Sequence, residues 1–80
     1  MITVDVKLFA TLRRARPDVP LGQPFPVALA EAATVADLIN ELGLPEEEVK
    51  LMFVNGRSCE LDHVLSEGDE IGIFPPVGGG

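Results

Sequence analysis

Residues 2–9, Ile-Thr-Val-Asp-Val-Lys-Leu-Phe, alternate with a period of two. That period commits the start of the chain to a β-strand with one dry face. Ile2, Val4, Val6 and Leu8 share the side turned to the core, and Thr3, Asp5, Lys7 and Phe9 share the other. An aromatic on the wet side has two explanations: packing at the end of the strand, or an exposed anchor for a partner. The pattern returns at residues 70–74, Glu-Ile-Gly-Ile-Phe, with Ile71 and Ile73 inward and Phe74 outward by parity. These two strands are the most regular in the chain. They are therefore expected at the centre of a sheet, side by side.

The segments between them supply the remaining elements. Residues 25–30 read as a short second strand, and Pro26 assigns it to an edge or a beginning. Thr34-Val35-Ala36-Asp37 has the form of a capping box. Val35, Leu38, Ile39 and Leu42 then follow at i, i+3, i+4 and i+7, which predicts a helix over 35–42 aimed at a core. Gly43 suits the position after the last turn, and Pro45 prevents continuation. Glu46 to Glu48 make a short solvated turn. Residues 50–54 form a third strand, apolar on both faces, so one face packs on the helix and the other is covered or sticky. Asn55-Gly56 is the favoured pair for a type I′ hairpin turn, with residues 57–60 as the return strand. Leu61 to Leu65 tuck in as a compact turn. Residues 10–24, with Arg13, Arg14, Arg16 and three prolines, show no period and are expected as a long connection with one helical turn near Thr11–Arg14. The order ββαββ describes a small α+β sheet with one helix across one face.

The last strand runs into Pro75-Pro76-Val77-Gly78-Gly79-Gly80. Proline fixes φ near −65° and holds the preceding residue extended, so the chain leaves the sheet stiffly. Glycine has no Cβ, so Gly78 to Gly80 fit a groove too narrow for side chains. Six residues from Pro75 reach roughly 20 Å when extended. The expected division is a domain over residues 1–76 and a flexible glycine tail over 77–80. A carboxylate is a poor electrophile until activated, so chemistry at Gly80 implies an enzyme that activates it.

Composition narrows the partners. Thirteen acids against six bases give a net charge of −7, which disfavours nucleic acid and anionic membranes and suits a basic protein. No apolar run approaches the ~18 residues of a membrane span. A single cysteine excludes an internal disulfide and fits a reducing cytoplasm, the expected location. His63 has no histidine or cysteine at metal spacing, so no metal site is expected. Cys59 sits beside acids, which would not lower its pKa. Gly78 to Gly80 lack the helix and lysine of a phosphate loop. Nothing in the chain reads as a self-sufficient active site, and the chain is not expected to be an enzyme by itself.

Phe53-Val54-Asn55-Gly56, Glu67-Gly68-Asp69-Glu70 and the ending Phe74-Pro75-Pro76-Val77-Gly78-Gly79-Gly80 resemble the MoaD/ThiS family, as does Leu8-Phe9-Ala10 with Arg13 after it. The resemblance implies a ubiquitin-like β-grasp fold, with a mixed four- to five-stranded sheet and one main helix across one face. It implies a sulfur carrier whose Gly80 carboxylate is adenylated with MgATP by an E1-like enzyme. A sulfur donor protein then makes it a thiocarboxylate, and the acceptor is the molybdopterin synthase large subunit or an equivalent enzyme. No cofactor is bound by the carrier itself. By matching position, Phe9, Arg13, Phe74 and Pro75 dock partners, Val77, Gly78 and Gly79 thread the channel, and Gly80 carries sulfur. Two departures keep the pathway open among molybdenum or tungsten cofactor, thiamine, cysteine and tRNA thiolation. They are the proline-rich stretch from Arg16 to Pro26 and the glycine at position 78. A ubiquitin-like protein modifier, and an interaction module with an idle tail, are the readings from other classes.

Overall fold

The N-terminal alternation becomes strand β1 (Ile2–Leu8) in a computed structural model that describes residues 1–20 and 22–76. The tail expected at Val77 to Gly80 lies outside the described residues. The other strands are β2 (Phe25–Leu29), β3 (Leu51–Val54), β4 (Arg57–Ser58) and β5 (Glu70–Phe74), and the helix α1 is Val35–Leu42. The sheet order is β2-β1-β5-β3-β4. β1 and β5 are parallel neighbours, and the remaining pairs are antiparallel. This is the mixed five-stranded sheet and single main helix of the ubiquitin-like β-grasp fold. β2 lies at the edge, where Pro26 costs no ladder bond that a second neighbour would need.

Parity holds across the whole sheet. Ile2, Val4, Val6, Leu8, Phe25, Leu29, Met52, Val54, Ile71 and Ile73 are buried on the side that carries α1. Val35, Leu38 and Ile39 of the helix are at most 1% exposed against them. Burying each such side chain contributes about 1.5–3 kcal/mol before chain entropy is counted.

The helix is set at both ends as its sequence implies. Asp37 N–H donates to Thr34 Oγ1 (3.2 Å), and Thr34 N–H donates back to Asp37 Oδ2 (2.9 Å). Two further N–H groups of the first turn, on Val35 and Ala36, donate to the carbonyls of His63 and Leu61. The 61–65 turn therefore serves as a backbone cap. Gly43 closes the helix in the left-handed region, with φ 73°.

At the β3–β4 turn Asn55 and Gly56 both have positive φ, 52° and 83°, as a type I′ turn demands. The Asn55 amide also donates to Asp69 Oδ1 (3.0 Å) and accepts from the Glu70 N–H (3.0 Å). Asp69 Oδ2 accepts from Ser66 N–H (2.8 Å). These bonds pin the turn to the start of β5.

The connection after β1 is more ordered than its sequence suggests. Residues Ala10–Ala15 form a 3₁₀ helix, and Leu12, 2% exposed, plugs it into the core. The helix extends the turn expected near Thr11–Arg14 by one residue at each end, and Ala15 packs half-buried against the core beside it. The return strand is shorter than expected, Arg57–Ser58 in place of 57–60; one in-register bond, from Cys59 N–H to the Met52 carbonyl (3.0 Å), continues the hairpin beyond it.

Candidate functional site

The face of the sheet opposite α1 has no layer of described residues packed over it, and three of the four phenylalanines gather there. Phe9 follows β1 in extended geometry, and its N–H donates to the Ile73 carbonyl (3.1 Å). That bond carries the parallel ladder one step past the strand. Its side chain therefore stays in phase with Lys7 on the outer side. Ala10 then turns the chain with φ 53°, a conformation uncommon for a residue with a Cβ. The turn sends Leu12 inward and leaves Phe9 outside.

Phe74 arrives on the same face from β5. Its ring stacks on Phe9 with centroids 4.0 Å apart and planes 8° from parallel. Phe53 of β3 meets Phe74 edge-on at 5.6 Å and 78°. Gly72 lies under this cluster. A Cβ there would lie 3.4 Å from Phe9 Cε2 and 3.6 Å from Phe74 Cε1, so the rings rest on bare backbone. Lys7 Nζ stands 5.4 Å from the Phe9 centroid, within cation–π range. Leu51, 45% exposed, extends the apolar surface beside Phe74, its cross-strand partner. Pro24 and Gly56 border a shallow depression around the rings. Asp5 and Glu70 close its far end.

The structure thus joins Phe9 and Phe74 and adds Phe53, Gly72 and Leu51, which sequence reasoning did not single out. The available signal for Phe53 was its parity with Leu51 opposite a glycine. Arg13 is placed elsewhere. It is half-buried on the 3₁₀ helix, beside Arg16, Val19 and Phe25, and it does not line the aromatic depression. Arg16 has structural contacts: its guanidinium lies 4.5 Å from the Phe25 centroid, and its Nε donates to Asp18 Oδ1 (3.4 Å). That hydrogen bond holds the Asp18 carboxyl below its usual pKa. Pro75 is buried, and Pro76 is exposed. Pro75 therefore sits at the root of the tail as packed structure and offers no open surface in the free chain. The tail positions Val77, Gly78, Gly79 and Gly80 lie outside the described residues.

Cys59 is half-buried, and its thiol contacts the Met52 carbonyl at 3.6 Å. Burial raises its pKa, and Glu60 adds to the rise, so it is a poor thiolate. Among the described residues no three metal-ligating side chains come together, and no helix is long and apolar enough to cross a membrane.

A β-grasp sheet with an open aromatic face, leading into a glycine terminus, defines the class of small ubiquitin-fold carriers and modifiers. Within that class the chain belongs to the ThiS family, whose profile matches residues 6–80. It is similar over 96% of its length to the whole of a Pyrococcus furiosus protein provisionally assigned as molybdopterin converting factor, subunit 1, with 32% identity and a TM-score of 0.74. It is also similar to small archaeal modifier protein 1 from Methanosarcina acetivorans, at 28% identity and TM-score 0.70, covering 100% of this chain and 98% of that one. The Haloferax volcanii small archaeal modifier protein 1 shares the fold, at 24% identity and TM-score 0.76 over 96% of this chain and 100% of the other. Among curated proteins, none matches significantly. Carriers of the ThiS/MoaD type are not themselves catalysts. They work with E1-like enzymes and sulfur acceptors.

Proposed function

We propose that the chain carries sulfur on its C-terminal glycine, as the small subunit of a molybdopterin synthase-like complex in molybdenum or tungsten cofactor biosynthesis. An E1-like enzyme holding MgATP binds the outer face through Phe9, Phe74 and Phe53, with Arg13 at the side. Val77, Gly78 and Gly79 thread its channel. The Gly80 carboxylate attacks the α-phosphorus of ATP, and pyrophosphate leaves. A donor at the oxidation level of sulfide then displaces AMP, giving the thiocarboxylate. The charged tail passes to a large subunit that moves the sulfur to its acceptor. The carrier holds no cofactor of its own, and the reducing, ATP-rich cytoplasm suits both its lone cysteine and this cycle.

The supporting observation is continuity. β5 lies between β1 and β3 within the sheet, presents Phe74 in the aromatic cluster, and leads through buried Pro75 toward the glycines. Docking and delivery thus belong to one strand. Intact-mass measurement after incubation with the E1-like enzyme of the same genome, ATP and a sulfur source tests the reading. The expected product has one oxygen replaced by sulfur at Gly80, and Gly80→Ala or one added residue abolishes it, because a channel built around glycine excludes a Cβ. A Gly80 that stays unmodified sinks the proposal.

Likeness to small archaeal modifier protein 1 favours a second reading, in which the same activated terminus is joined to lysines of other proteins. Lysine-linked conjugates of higher mass in cell extract distinguish it. Carriers for thiamine, cysteine or tRNA thiolation would show the same thiocarboxylate with a different acceptor.

A further inference from the structure

We infer that the outer face selects a partner protein by charge as well as by shape: the partner presents an apolar projection to the phenylalanines and a basic side chain to Asp5 and Glu70. The inference rests on the carrier reading above and names the chemistry of the surface that would meet this face.

β1 and β5 run parallel in a register that sets Asp5 directly opposite Glu70. Both residues are exposed, and both border the depression that holds Phe9, Phe53 and Phe74. Like charges opposite one another on neighbouring strands destabilise a sheet. Neither carboxylate takes part in an ion pair among the described residues, where the pairs are Met1 with Glu31 and Arg16 with Asp18. Among the described residues Lys7 is the one cation bordering the depression, and its ammonium lies over the Phe9 ring. The face is thus polarised. Its apolar end is at Phe74, where the chain turns toward the tail, and its acidic end is at Glu70. Four residue steps along the strand separate these ends, about 13 Å.

A protein arriving at this face finds a hydrophobic seat beside the tail and an uncompensated dicarboxylate one strand-length away. A basic side chain there relieves the Asp5–Glu70 repulsion on docking. The net charge of −7 steers the same class of partner from a distance. A second copy of this chain brings the same surplus of acid and complements the acidic end poorly.

The test pairs the full chain with the E1-like enzyme of the same genome and follows association by stopped-flow fluorescence at low and high salt. The double variant Asp5→Asn, Glu70→Gln is expected to associate about tenfold more slowly at low salt, with a flattened salt dependence. Its melting temperature should equal or exceed that of the wild type, since a repulsion has been removed. Lys7→Gln should associate at least as fast as wild type. Equal association rates and equal salt slopes for wild type and double variant overturn the inference while leaving the carrier reading intact, provided Gly80 is still charged. Failure of the wild type to bind or be charged by the enzyme overturns both. Sedimentation of the wild type as a dimer that Phe74→Ala dissolves also overturns it, by giving the face to a second copy.

Discussion

The two faces of one sheet have been put to opposite uses. On the inner side the buried positions are all apolar, closed by α1, with Val6 and Ile73 at 0% exposure. On the outer side the same strands alternate into Asp5, Lys7, Glu70, Gly72 and three half-buried rings. The inner face gains its stability within the chain. The outer face withholds part of its apolar area from water only incompletely, and that remainder is available to a partner. A small domain buries roughly 60–65% of its unfolded surface, so a division of this kind leaves little spare core.

The contrast can be broken most severely from inside. Ile73→Ala should cost about 2–5 kcal/mol of folding stability, measured by urea denaturation, because a buried side chain at the sheet centre leaves a cavity. Any folded fraction should still associate with partner at the normal rate. Next comes Phe74→Ala, which should weaken partner affinity by ~1–3 kcal/mol in titration calorimetry. It should lower stability by only about 0.5–1.5 kcal/mol through loss of ring packing. Outright unfolding of that variant would erase the distinction between the faces. The smallest effect is at Cys59, on the rim of the inner face. Its raised pKa means that the folded state keeps the proton to higher pH than the unfolded chain. The associated stability is present below the ordinary thiol pKa and is lost as pH rises through the folded value. Alkylation at mildly alkaline pH should therefore be slower in the native protein than in urea. Equal rates would mean the thiol is not held against the core.

Features governed by near neighbours were legible in the sequence. The alternation at 2–8, the Thr34–Asp37 box, the bounds of α1, the Asn55-Gly56 turn and the outward parity of Phe9 and Phe74 all follow from local spacing. So did the central, adjacent placement of β1 and β5, because they are the most regular strands. What escaped depends on distant residues. The place of Phe53 is set by the register of β3 on β5, which puts it opposite Gly72, nineteen positions away, and edge-on to Phe74. The 3₁₀ helix was expected only as a turn near Thr11–Arg14, and it extends one residue further at each end, with Arg13 lining a hollow beside Phe25 and not the aromatic depression. Pro75 read as the first residue of an exit, yet the fold takes it in. Residues 10–24 read as a long connection, and Arg16 within it lies over the Phe25 ring.

The parallel pairing of β1 with β5 has a mechanical corollary. β5 is hydrogen-bonded on both flanks, to β1 and to β3, and its downstream end leads to the terminus. A pull applied there acts along the strand axis and loads both ladders in shear. Their bonds must then give way together instead of unzipping one at a time. A machine that tugs on this tether while working on its tip would strain the tether long before it dismantles the anchor.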